Sequence, residues 1–185
     1  MRKLITFLVL VLAAVSTSAD AQGAFKLSSK EIAPNAMIGA AQTFSGFGCT
    51  GPNISPSLAW SGAPAGTKSF ALTMYDPDAP TGSGWWHWTI YNIPASAKEI
   101  ALGAGDPKKN LLPAGAVEGP TDFGKSGYGG PCPPAGDKAH RYVFTLYALK
   151  TDKLDIPAGS TPAFLGFNIS GNKVGSASFT ARYKR

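Results

Sequence analysis

The chain is 185 residues long, 44% of them hydrophobic, and carries a formal net charge of +6. This length is enough for one domain with a substantial hydrophobic core. The basic residues are scattered and no basic run alternates with aromatic residues, which argues against a nucleic-acid-binding protein.

The first 21 residues have the order of a secretory signal peptide. Two basic residues precede an apolar run over 4–15, and the segment ends in the small-residue sequence Ala19-Asp20-Ala21. The apolar run has about a dozen residues, fewer than the roughly 20 that a membrane span requires. We therefore predict cleavage after Ala21 and a periplasmic or secreted protein. The remaining single domain, residues 22–185, has 15 basic and 10 acidic residues.

The first half of the domain contains both weak and strong strand signals. Short strands are predicted at 25–27 and 39–43. Residues 46–60 are rich in glycine, proline, asparagine and serine and predict a compact, ordered loop. The segments 70–75 and 86–93 are rich in aromatic and β-branched residues, and each ends at a proline-containing break, so both are predicted to be strands.

The second half begins with a long connection and ends in regular elements. Residues 95–127 have few large apolar side chains, and the segment is too long for a hairpin loop, so we expect it to contain short strands or functional loop structure. Residues 127–136 include four glycines and three prolines and predict a rigid loop. The remaining predictions are a central strand at 143–149, a short helix near 162–167 and a last strand at 177–183.

The break after the strand at 70–75 presents two carboxylates in a rigid setting. Asp76 and Asp78 are separated by one proline and followed by Pro80, and proline fixes φ near −65°. Seven residues after Pro80, His87 lies among three tryptophans that would shield its imidazole from water. This combination is typical of the wall of a pocket.

Two histidines, His87 and His140, each adjoin a predicted strand and a proline-rich loop. If the loops converge, both imidazoles share a polar cavity with Asp76 and Asp78. Imidazole can be protonated near neutral pH, and a neighbouring carboxylate favours that state, so the cavity would suit a phosphate or a carboxylate. The expected walls of this cavity are Pro80, Trp85, Tyr128, Pro134 and Tyr142.

Each of these residues also has a structural interpretation. Asp76 and Asp78 can cap backbone N–H groups of a turn, and His87 can be a core histidine that bonds a carbonyl. Arg141 is expected to be structural and to hold Asp76 or Asp78 through a bidentate pair. A divalent metal on His87, His140 and Asp76 is a further alternative, although the sequence shows no short ligand spacing.

Cys49 and Cys132 are the two cysteines of the chain. In an oxidising compartment they can form a disulfide if the fold brings their Cα atoms within about 7 Å. Two buried free thiols are the alternative, and the spacing is not that of a zinc site.

Four motifs together resemble the phosphatidylethanolamine-binding proteins, also called Raf kinase inhibitor proteins, and especially their bacterial branch. They are residues 76–80 (DPDAP), the tryptophan-rich stretch around His87, residues 129–134 (GGPCPP) and residues 140–142 (HRY). The resemblance is firm over about 44–149. The sequence departs from the family pattern at Trp86, where a second histidine is frequent, and at residues 138–139, just before His140.

The resemblance implies a mainly β fold of two antiparallel sheets with a few short helices, and a small anion pocket at one end. It places the backbone at Cys132 close to a bound phosphate group. The side chains that it assigns to the pocket are Asp76, Asp78, Pro80, Trp85, His87, Pro134, His140 and Tyr142.

Three functions are compatible with these residues. The first is an exported binding protein for phosphate, phosphoethanolamine or a carboxylate, without a cofactor. The second is an interaction or inhibitor protein whose pocket recognises a phosphorylated or carboxylate group on a kinase or peptidase. The third is a weak hydrolase that uses the histidines and aspartates as acid and base, although no G-x-S-x-G or H-E-x-x-H motif is present.

Overall fold

The computed structural model describes residues 23–185, and the predicted signal peptide lies outside the described residues. Over this range the chain forms ten strands, one α-helix and two short 3-10 turns. The strands are β1 (Lys26–Ser28), β2 (Ser45–Gly46), β3 (Cys49–Thr50), β4 (Leu58–Ser61), β5 (Ser69–Asp76), β6 (Trp85–Pro94), β7 (Glu99–Ile100), β8 (Val117–Glu118), β9 (His140–Leu149) and β10 (Lys173–Tyr183). The helix is α1 (Pro162–Asn172).

Two antiparallel sheets carry the fold. The larger has five strands in the order β10-β9-β5-β6-β8, and the smaller has the order β1-β4-β7. A separate two-stranded ribbon joins β2 to β3. The mainly β architecture of two antiparallel sheets with a few short helices, which the resemblance implied, is confirmed.

The main hydrophobic core receives one face of the large sheet. Along β9, alternate residues point inward: His140, Tyr142, Phe144, Leu146 and Ala148 are all buried. This is the period-two pattern of a strand with one face in the core. His140 and Tyr142 lie at the end of the core. The face of β9 that packs the interior therefore also places polar side chains at the edge of the core.

Helix α1 covers the other face of the large sheet. Leu165 and Ile169 pack there with Ala71 and Leu149 in a second hydrophobic cluster. The helix begins where the hydroxyl of Thr161 accepts a hydrogen bond from the N–H of Phe164, a typical N-cap. Among the described residues, no helix is both long and apolar enough to cross a membrane.

The predicted strand at 39–43 is wrong. Residues Ala40–Gln42 form a 3-10 turn, closed by hydrogen bonds from Gln42 N to Gly39 O and from Thr43 N to Ala40 O. These local hydrogen bonds use backbone groups that a strand would direct to a neighbour. The other predicted strands are present, and β9 begins at His140, three residues before the predicted start, because it pairs with β10 as far as Tyr183.

Candidate functional site

His87 owes its inward orientation to an irregularity in β6. Met74 pairs with Trp88 and Tyr75 pairs with Trp86, so the register slips by one residue and His87 has no cross-strand partner. Such a β-bulge places two consecutive side chains on one face and re-aims them. The His87 ring contacts Tyr142 and the Trp88 ring contacts Tyr128, so both side chains lie on the core face of the sheet. Strict alternation would have sent one of them to the opposite face.

The end of β5 supplies the buried carboxylate. Asp76 is only 2% exposed, and its Oδ1 accepts a hydrogen bond from the N–H of Asp78 at 2.8 Å. Its Oδ2 accepts a hydrogen bond from His140 Nδ1 at 2.7 Å. The turn-capping role and the pocket role of Asp76 therefore coexist in one side chain, and this carboxylate joins the end of β5 to the start of β9.

The glycine-rich loop is fixed from two sides. Asn53 donates from Nδ2 to the carbonyl of Tyr128 and accepts from the N–H of Gly130. Cys132 is joined to Cys49 in a disulfide, with a Cα–Cα distance of 6.1 Å. A side chain at Gly130 would collide with the backbone carbonyl of Gln42, so this close approach requires glycine.

These segments enclose a pocket of about 140 Å³. Its polar floor consists of Asp76, His87, His140 and Tyr142, all of them 5% exposed or less. Its walls are Phe47, Ala79, Pro80, Thr81, Trp85, Phe123, Cys132, Pro133 and Pro134. The two proline-containing loops thus converge on one cavity, as the sequence hypothesis required, and the resulting site has an acidic and imidazole floor beneath an apolar wall.

His140 is held between two carboxylates. Its Nδ1 lies 2.7 Å from Asp76 Oδ2 and its Nε2 lies 3.4 Å from Asp137 Oδ2. Burial by itself lowers the pKa of His140, but the hydrogen bonds and charges of the two carboxylates outweigh it, and the net pKa is raised above 6.5. The two carboxylates therefore stabilise the imidazolium form of His140, whose positive charge balances Asp76.

His87 is in the opposite state. Burial lowers its pKa to about 4, and the hydrogen bond to Gly129 only partly offsets this effect. Its Nδ1 lies 2.8 Å from the Gly129 carbonyl. Because a carbonyl can only accept, Nδ1 must carry the proton of the neutral ring. Nε2 is then an unprotonated acceptor on a ring that lines the pocket.

Tyr142 supplies a hydroxyl without a hydrogen-bond partner. Its oxygen is buried and makes no hydrogen bond of normal geometry with a described residue, although the Asp76 carboxylate lies close enough to help raise its pKa. Its ring contacts the His87 ring edge to face at 5.1 Å. Burial raises the pKa of Tyr142 well above its ordinary value, so the hydroxyl stays protonated. A buried unpaired hydroxyl is costly, and a ligand in the pocket can satisfy it.

A family model for phosphatidylethanolamine-binding protein matches residues 28–184. The chain belongs to the phosphatidylethanolamine-binding protein family. Escherichia coli UPF0098 protein YbcL is 51% identical over 174 residues, 94% of each chain. The crystal structure of YbcL, presented as a new member of the mammalian PEBP family, matches with a TM-score of 0.85 over 87% of this chain and 98% of that one.

Two further proteins are similar to this chain. The crystal structure of the phosphatidylethanolamine-binding protein homologue CT736 from Chlamydia trachomatis is 31% identical and matches with a TM-score of 0.73, over 88% of this chain and 98% of the other. LppC of Mycobacterium tuberculosis, named as a lipoprotein, is 43% identical over 115 residues, which is 62% of this chain and 52% of that protein.

Asp78 was predicted to line the pocket but lies outside it. Its carboxylate accepts hydrogen bonds from the Arg141 side chain, at 2.7 Å from Nη2 and 2.9 Å from Nε, and from the Arg141 backbone N–H. The hydrogen bond to Arg141 lowers the pKa of Asp78 to about 2. The predicted bidentate role of Arg141 is confirmed with Asp78 as its partner, and this ion pair faces a separate outer groove.

Tyr128 is also outside the pocket. Its hydroxyl donates to the Gln42 carbonyl at 3.0 Å, and its ring packs edge to face on Trp88 within the core. The three tryptophans around His87 have different surroundings. Trp85 lines the pocket, Trp88 is fully buried, and Trp86 contacts Tyr75 on the opposite face of the sheet.

Phe47, Phe123 and Asp137 are functional candidates that sequence reasoning missed. The two phenylalanines line the pocket from loops and carry no periodic signal. Asp137 reaches the second nitrogen of His140 from three residues earlier in the chain. Among residues 23–185, no group of three or more histidine, cysteine, aspartate or glutamate side chains is arranged to hold a metal ion.

Proposed function

We propose that this family member is an exported binding protein whose pocket holds a small acidic group, either a phosphate monoester or a carboxyl group. The observation that carries the proposal is that two groups able to bond a ligand line the same small cavity. They are the Tyr142 hydroxyl, which makes no hydrogen bond of normal geometry with a described residue, and His87 Nε2, the ring nitrogen that does not face the Gly129 carbonyl. A ligand that both accepts and donates a hydrogen bond satisfies both groups.

The charges of the floor favour a ligand that keeps one proton. Asp76 and the His140 imidazolium balance each other, so the pocket offers little net positive charge to a dianion. A phosphate monoester with one proton, or a protonated carboxyl group, presents an O–H to His87 Nε2 and an oxygen to Tyr142. The monoprotonated form dominates below the second phosphate pKa, which is about 6 for a phosphate monoester.

Two pocket residues that a covalent hydrolytic mechanism could use are already engaged. Cys132 lines the cavity, but its sulfur is bonded to Cys49, so it has no thiolate to pair with His140. The buried carboxylate of Asp76 is already engaged by Asp78 and His140.

Three observations support the export part of the proposal. The first 21 residues have the charged, apolar and small-residue order of a signal peptide. The cysteines form a disulfide, which persists in oxidising compartments. In addition, the relative LppC is named as a lipoprotein.

Titration calorimetry with phosphoethanolamine at pH 5.5 and pH 7.5 tests the ligand. If only the monoprotonated ligand binds, the apparent affinity falls about 20-fold between these pH values, because that form becomes a minor fraction. His87→Asn keeps a donor near Gly129 but removes the Nε2 acceptor, so we expect it to abolish binding. Asp152→Asn, an exposed carboxylate beyond the other end of β9, is the control and should leave the affinity unchanged.

Two results would contradict the proposal. One is an affinity that is equal or higher at pH 7.5. The other is unchanged binding by His87→Asn, since the pocket would then not be the place where phosphoethanolamine is held.

A further inference from the structure

The turn between β2 and β3 displays an aromatic ring at the mouth of the pocket. Phe47 lies between Gly46 and Gly48, is 67% exposed and has a φ of +53°. This left-handed conformation is uncommon for a residue other than glycine. The ribbon therefore holds a large apolar side chain in solvent, in a backbone conformation that it would not otherwise favour.

Phe47 belongs to an apolar rim above the polar floor. Its ring stacks on Phe123 at a centroid distance of 6.0 Å and an interplanar angle of 16°. Phe44 packs beneath both rings, 4.6 Å from Phe123 and 5.5 Å from Phe47. Phe123 in turn contacts Trp85 edge to face at 5.4 Å. Phe47, Phe123 and Trp85 all line the pocket, so an apolar surface begins directly where the acidic group would end.

The disulfide fixes this rim to the floor. The β2–β3 ribbon pairs with neither of the larger sheets. Cys49, two residues after Phe47, is bonded to Cys132, which itself lines the pocket beside Pro133. Backbone hydrogen bonds at the base of the ribbon, such as Phe44 N to Pro131 O, hold its stem but not its tip. The bridge is therefore the covalent link that keeps the Phe47 turn against the pocket loop.

We propose that Phe47 is a specificity-determining residue that selects ligands whose acidic group carries an apolar substituent, and that the Cys49–Cys132 bridge positions it. This inference rests on the proposed function and names the ligand class of the same pocket. The acidic group occupies the floor, and the substituent lies against the exposed face of Phe47 and the rings beside it. Aromatic contacts of this kind favour an apolar or aryl group over water.

The test compares inorganic phosphate with phenyl phosphate, measured by calorimetry at pH 5.5. Wild type should bind phenyl phosphate about five- to tenfold more tightly than inorganic phosphate. Phe47→Ala should remove this difference and leave inorganic phosphate unchanged, whereas Phe47→Tyr should keep it. Phe167→Ala removes an equally exposed phenylalanine from α1, at a distance from the pocket lining, and should change neither affinity.

Reduction tests the positioning role of the bridge. A dithiol reductant transfers two electrons and two protons to the disulfide, which gives two cysteine thiols and the oxidised reductant. The reduced protein should show the same selective loss for phenyl phosphate as Phe47→Ala. If reduction unfolds the protein, as circular dichroism would show, the Cys49→Ser/Cys132→Ser variant in a stabilising osmolyte gives the same comparison.

The outcomes separate the two proposals. Equal affinities of wild type for both phosphates, or a Phe47→Ala variant that retains the preference, overturn this inference alone. If neither phosphate binds wild type, the proposed function fails and this inference fails with it. A preference that survives in the reduced, folded protein overturns the role of the bridge.

Discussion

The pKa values of the two pocket histidines are shifted in opposite directions because their surroundings differ. His87 is buried with one carbonyl as its partner, and burial lowers its pKa to about 4. His140 is also buried, but carboxylates face both of its nitrogens and its net pKa is raised. One cavity thus combines a ring that burial keeps neutral with a ring whose cationic form two carboxylates stabilise.

His87 makes the fold sensitive to acid. The unfolded chain takes up a proton on this residue near pH 6.5, whereas the folded chain does so only near pH 4. Stability is therefore lost as the pH falls through this window, by roughly 2 to 3 kcal/mol at pH 4.5. We expect urea unfolding to show this loss between pH 6.5 and 4.5, and His87→Asn to show a loss smaller by that amount.

His140 contributes with the opposite sign. Its raised pKa gives stability that is complete below the unfolded value and disappears as the pH rises through the folded one. The His87 prediction would be contradicted if the free energies of unfolding of wild type and His87→Asn fell by the same amount between pH 6.5 and 4.5. His87 would then not be a buried neutral ring.

At the scale of the elements, three features that interrupt or link regular structure assemble the site: a β-bulge, a turn and a disulfide. The bulge in β6 turns His87 inward, and the Asp76 turn ends β5. The bridge from Cys49 to Cys132 joins the β2–β3 ribbon to the loop before β9. Each of these features adds a rigid constraint at the pocket end of the large sheet.

The bridge should contribute strongly to stability because it closes a long loop. Its cysteines are 83 residues apart, and the loop-entropy relation gives about 4.5 kcal/mol for a cross-link of this span. We expect Cys49→Ala/Cys132→Ala to lower the free energy of unfolding in urea by about this amount, with a steeper denaturant slope because the unlinked chain exposes more surface when it unfolds. Wild type in reductant is the matched control and should reach the same value. A loss below about 1 kcal/mol would contradict the view that the bridge constrains the unfolded chain.

At the scale of the whole molecule, the sequence was sufficient for the long strands but not for the short ones or for the irregularities in pairing. The runs in β5 and β9 are rich in aromatic and β-branched residues, and this composition predicted strands close to those observed. The strand predicted at 39–43 is absent, because local backbone hydrogen bonds close a turn there. No alternation rule reveals that β6 contains an extra residue at His87, because a bulge is set by the pairing with β5.

The composition of the pocket was only partly predictable for a related reason. The resemblance brought His87, His140 and Asp76 together, and the structure places all three in one cavity. Asp78 was assigned to the wrong surface, since its direction depends on the turn and on Arg141 rather than on its distance from Asp76 in sequence. Phe47 and other loop residues reach the cavity through tertiary contacts and the bridge, which no local pattern encodes.

The central claim is that an acidic group binds between His87 and Tyr142. Nuclear magnetic resonance of the imidazole nitrogens tests it most directly, because the chain has only two histidines. On addition of phosphoethanolamine at pH 5.5, we expect the His87 Nε2 resonance to shift as it accepts a hydrogen bond, while Nδ1, already bonded to Gly129, moves little. Saturating shifts confined to residues outside the pocket, with both histidine rings unchanged, would contradict the account.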